Sequence, residues 1–141
     1  MTREDISSRC STIEECYEFF LAYAGQGLSG RESSASSSQL RDYLNRAVEA
    51  LSGLASGFSA GLKQENLQPA EPYIEFLAVL QRDARNALAA MQLVLAQATI
   101  SSQLIDNLNA SIHLRALLTD LFLIDEILKP QPVPPKPVIL D

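Results

Sequence analysis

One histidine, two cysteines and two adjacent carboxylate pairs are the residues of this chain whose types suit chemistry. A metal site built on His113 needs partners at fixed offsets. The di-iron bundle pattern sets Glu three places before His on each of two helices. Here Ala110 occupies that place and there is no second histidine. Zinc asks for clustered Cys and His. Cys10 and Cys16 are nucleophiles by type only, because a reactive thiol needs a nearby base or cation. Glu15 beside Cys16 pushes the other way. Standing six positions apart on one helix, the two cysteines face different directions, so joining them would require that helix to break.

Glu14/Glu15 and Asp125/Glu126 are neighbours in sequence. On a helix such neighbours point about 100° apart and cannot share a proton, so both pairs read as solvated faces. Gly25, Gly27 and Gly30 spell G-x-G-x-x-G, but after a helix and before serines, without the strand that gives the pattern meaning. No catalytic residue, no cofactor and no metal ligand is assigned, and the chain is not read as an enzyme.

Recognition is better served. Pro132, Val133, Pro134 and Pro135 make a PxxP of the kind that docks on aromatic grooves, with Lys136 one place closer than the common arrangement. Val138, Ile139 and Leu140 form an apolar run on the same arm, which either docks on a partner or folds back on its own bundle. Six serines among residues 29–38 read as a flexible linker, with phosphorylation near Arg31 as the rival.

Helices must position all of this. Leu40, Leu44, Ala47, Leu51, Leu54, Phe58 and Leu62 step four, three, four, three, and so do Tyr73, Leu77, Leu80, Ala84, Ala87, Met91, Val94 and Ala98. That spacing draws one apolar stripe along a helix, which other helices must cover. It predicts an all-α fold, a four-helix antiparallel bundle with helices at about 2–24, 38–62, 72–98 and 102–128. The first helix has a stripe Ile6, Cys10, Ile13, Tyr17, Phe20, Ala24. Its start lies at Thr2 or, given the stronger capping pairs Ser11/Glu14 and Thr12/Glu15, at Thr12. Ser36 with Gln39 suits the start of the second helix, and Pro69 and Pro72 the start of the third.

Gly53, Gly57 and Gly61 line one ridge of the second helix, marking either tight packing or a loosely formed end. A tight turn near residues 99–102 separates the third and fourth helices; the rival is one rod that would force a dimer. Residues 1–128 form the bundle. Residues 129–141, with five prolines, are expected to be an extended, mobile tail.

A length of 141 residues favours one domain, and 47% apolar residues supply its core. The net charge of −6, with lysine only at Lys63, Lys129 and Lys136, argues against nucleic acid as a partner. Residues 86–105 lack charge but hold seven polar side chains, too many for a membrane span. Polar residues 1–9, Glu14, Glu15 and Glu18 argue against a signal peptide, and with reduced thiols they place the protein in the cytoplasm.

The fourth helix carries more apolar surface than one seam needs: Leu114, Leu117, Leu121, Ile124 and Leu128, flanked by Leu118, Phe122, Leu123 and Ile127. The expected function is protein–protein interaction as an adaptor, assembly factor or regulator, with another protein or a second copy as partner. Its contact residues are expected among Leu114, Leu117, Leu118, Leu121, Phe122, Val138, Ile139 and Leu140, aided by the neutral hairpin between the third and fourth helices. The alternative is a small apolar ligand held in the core beside Ala47, Gly53, Gly57, Ala84 and Ala87.

Overall fold

In the computed structural model, which describes residues 2–31 and 35–128, all regular structure is helical. The elements are α1 (Arg3–Ala24), α2 (Ala35–Leu51), α3 (Leu54–Glu65), α4 (Ala70–Leu95), α5 (Ser102–Ala110) and α6 (Ile112–Leu128). The all-α reading therefore holds, while two of the four expected helices are each divided in two. Residues 129–141, including the proline-rich stretch, lie outside the described residues.

α1 begins at the weaker of its two signals. Thr2 caps it, its hydroxyl accepting from the Asp5 N–H at 3.1 Å while the Asp5 carboxylate accepts from the Thr2 N–H at 2.9 Å. Thr12 lies inside the helix, its hydroxyl donating to the Ser8 carbonyl at 3.1 Å. The buried face of α1 is Ile6, Cys10, Ile13, Cys16, Phe20 and Tyr23. Cys16 and Tyr23 are thus buried where Tyr17 and Ala24 were expected, and those two are half-buried against the edge of the same core. Ser36 also sits inside its helix rather than ahead of it, since α2 starts at Ala35.

The second expected helix breaks at Ser52 and Gly53. Gly53 is left-handed at φ 77°, and α3 starts just after it. Arg9 of α1 donates to the Ala50 and Ser52 carbonyls, each at 3.0 Å, placing a cation on the exposed end of α2. The apolar beat survives the break: Leu40, Leu44, Ala47 and Leu51 are buried on one side of it, Leu54 and Phe58 on the other.

The fourth expected helix breaks at Ser111, which has an extended backbone (ψ 144°). Its hydroxyl donates to the Leu108 carbonyl at 2.7 Å and accepts from the Leu114 N–H at 3.3 Å, so one side chain ends α5 and starts α6. The turn expected between the third and fourth helices is present over residues 96–101, with Ser101 capping α5.

α2 and α3 bridge α1 and α4 on one side, and α5 and α6 bridge them on the other. One continuous apolar core runs through all six helices. At one end of the bundle the loops are locked together. The Tyr23 hydroxyl donates to the Ile100 carbonyl at 2.6 Å. Ser102 donates from its hydroxyl to the Tyr23 carbonyl (2.6 Å) and accepts from the Leu28 N–H (2.9 Å). Arg41 donates to the Leu95, Gln97 and Ala98 carbonyls at 3.3, 2.8 and 3.1 Å. At the other end, where α4 begins and α6 finishes, the Arg3 guanidinium pairs with the Glu65 carboxylate and joins the start of α1 to the end of α3, and an apolar trough lies between α4 and α6.

Candidate docking surface

Pro69 caps the start of α4, and Pro72 sits in its first turn, where the missing N–H has no helical partner to lose. One turn on, Tyr73 and Phe76 project toward α6. From α6 come Leu123, Ile124 and Ile127. Together these seven residues line an open trough of about 370 Å³ without a single charged side chain. Leu123 and Ile127 are shared with an adjoining hollow lined also by Thr119, Phe122 and Glu126. Tyr73 is shared with a more polar cleft toward α3 that includes Ser59, Lys63, Asn66 and Ile74. The apolar surface is therefore continuous across both helices, the kind of patch that marks an interaction site.

Its existence follows from the composition of α6. Leu114, Leu117, Leu121, Ile124 and Leu128 fall on one stripe and are buried in the chain's own core, as is Leu118. Phe122, Leu123 and Ile127 lie off that stripe and stay 54%, 51% and 51% exposed. Of the contact residues read from the sequence, Leu114, Leu117, Leu118 and Leu121 thus have their surface consumed internally. Phe122 is on the open face, and Val138, Ile139 and Leu140 lie outside the described residues. The hairpin between α4 and α5 is engaged as well: Ile100 is buried, and Arg41 brings a cation to its carbonyls. The α4 half of the trough is hidden in the sequence, because Tyr73 keeps the beat of the core stripe and Phe76 falls off it.

A second feature lies farther along the same α4–α6 seam. Asp120 of α6 is only 6% exposed, and its Oδ2 has no hydrogen-bond partner. Burial, followed by a hydrogen bond to Asp83 of α4 and the charge of Asp83, pushes its carboxyl up to about 7, against a lowering influence from Arg82. The signal was in the sequence: Asp83 stands three residues after Leu80, and Asp120 three after Leu117, in otherwise apolar registers. On α5, Asn109 is buried with neither amide atom partnered.

The remaining chemical candidates are dispersed. Cys10 and Cys16 are fully buried, and burial pushes their thiols up to about 12 and about 11. Glu15 pairs at the surface with Arg46 at 3.3 Å. His113 is exposed on the first turn of α6. Gly30, the last glycine of the G-x-G-x-x-G, packs against the backbone of Ile100 rather than forming an open loop. Among the described residues no group of three or more His, Cys, Asp or Glu is placed to hold a metal ion, and no helix is long and apolar enough to cross a membrane. No family model, no curated protein and no solved structure matches the chain, so function is read from its own geometry.

Proposed function

We propose that this protein is a non-enzymatic, cytoplasmic protein-interaction module that docks an apolar segment of a partner into the trough between α4 and α6. The observation that carries this reading is the charge-free lining shared by Pro69, Pro72, Tyr73, Phe76, Leu123, Ile124 and Ile127. Aromatic and apolar side chains set at the rim of a groove are the usual anchors for helical or proline-rich segments. The acidic balance, with a net charge of −6, favours such a partner over nucleic acid. An adaptor, assembly factor or regulator needs no more than this.

The test places charge in the trough. The Leu123→Glu, Ile127→Glu double variant should keep its helical circular dichroism and lose the partners that the wild-type chain captures. Undiminished capture by a folded variant overturns the reading. A small apolar ligand is the second reading. It is favoured by a trough of about 370 Å³, inside the usual range for ligand sites, and it places the ligand at this surface rather than in the core. Native mass spectrometry distinguishes the two, since a retained small molecule adds discrete mass to the purified chain.

A further inference from the structure

We propose that the trough is covered, in the absence of a partner, by this chain's own residues 132–140. The inference rests on the trough being a docking surface and names its resident occupant.

Three observations converge. The first is position. The last described helix ends at Leu128, immediately after Ile127, which lines the trough. α6 therefore ends one residue past the lining of the groove. Four further residues bring the chain to Pro132, and at about 3.1 Å per residue in an extended proline-rich segment the nine residues 132–140 span up to about 28 Å. From Ile127 back to Thr119, the whole length of the apolar face on α6, is about 12 Å at 1.5 Å per residue. Reach is ample, and tethering makes the local concentration of this segment high.

The second is chemistry. The trough offers two prolines, two aromatic rings and three aliphatic side chains. Residues 132–140 offer prolines at 132, 134, 135 and 137, together with Val133, Val138, Ile139 and Leu140. Proline-rich segments pack on aromatic-lined grooves because their restricted backbone has little entropy left to lose.

The third is charge. Residues 69–77 and 120–128, the stretches that build the trough and its flanks, hold Glu71, Glu75, Asp125 and Glu126 besides the buried Asp120, and neither lysine nor arginine. Lys129 and Lys136 are two of the chain's three lysines, and no acidic residue falls between 129 and 140. A partner would then bind by displacing the segment, so the chain regulates access to its own docking surface.

The experiment uses the full chain in solution. Nuclear Overhauser contacts are sought between the methyl groups of Ile139 and Leu140 and the rings of Tyr73 and Phe76, within one molecule. In parallel, an apolar fluorescent dye such as ANS is titrated into the wild type and into Ile139→Asp, Leu140→Asp. These substitutions lie outside the described core. The expected result is intramolecular contacts that persist on dilution and a several-fold rise in dye binding for the double variant. Absent contacts with unchanged dye binding overturn the inference. Contacts that appear only between labelled and unlabelled chains in a mixed sample also overturn it, in favour of a second copy. The docking reading fails separately: if Leu123→Glu, Ile127→Glu leaves partner capture intact while the contacts are present, the segment covers a surface that no partner uses.

Discussion

Asp120 is the residue at which this fold is most sensitive to pH. An aspartate ordinarily loses its proton near 3.8, but here the folded state holds it until about 7. Between those values the folded chain carries a proton that the unfolded chain has already released. Stability therefore falls as pH rises through that window and levels off above it. Asp120→Asn keeps the size of the side chain, donates an N–H to Asp83 and carries no charge to bury. We expect the variant to be more stable than the wild type by about 1–3 kcal/mol at about pH 8, with the advantage shrinking as pH falls toward 4. Urea unfolding of both proteins across that range checks this, and a difference that does not change with pH would exclude the raised Asp120 carboxyl. The position was legible in the sequence, for Asp83 and Asp120 both interrupt apolar registers. The pairing was not, because periodicity says which face of a helix is buried and is silent on which residue of another helix faces it.

At the scale of elements, the seven-residue beat told where helices lie and what they bury, but not where they bend. Leu51 and Leu54 keep the beat across a left-handed glycine, so the pattern ran on while the chain turned. The clue at Ser111 was the loss of the beat soon after Ile112. The cause, one hydroxyl serving two helix ends, depends on geometry that spacing does not encode. Arg9 and Arg41 were equally hidden, since each reaches carbonyls more than forty residues away. Two glycines separate local strain from tertiary packing. Gly53 has φ 77° and nothing within 4 Å of the place a Cβ would take, whereas at Gly30 (φ 87°) a Cβ would meet the Ile100 backbone at 2.6 Å. Gly53→Ala is expected to lose about 1 kcal/mol, from the left-handed conformation alone. Gly30→Ala should lose a further 1–3 kcal/mol, roughly, because backbone cannot yield as a flexible side chain can. Thermal unfolding of the two variants measures the gap, and equal losses would mean that the loops are not clasped where Tyr23 and Ser102 hold them.

For the whole molecule, the question is how a helix that is apolar nearly all round is placed in the bundle. α6 divides the labour. Leu117 is fully buried in the core and belongs to stability, while Phe122, little more than a turn away, is 54% exposed to solvent. Leucine and phenylalanine carry similar hydrophobic weight, and only the arrangement of neighbouring helices tells the two positions apart. The two positions should therefore respond differently to the same truncation. Leu117→Ala leaves a void in a closed core and is expected to lose about 2–5 kcal/mol. Phe122→Ala removes surface that the bundle does not use, so the described fold by itself allows a change of no more than about 0.5 kcal/mol. A segment lying over the trough and reaching Phe122 would raise that loss modestly, and the excess would vanish in the background of Ile139→Asp, Leu140→Asp, because the two sites would then be coupled. Urea unfolding of the four chains in that double-mutant cycle gives the coupling directly. A Phe122→Ala loss as large as that of Leu117→Ala, and independent of residues 139 and 140, would place Phe122 in the core and leave α6 with no face to offer a partner.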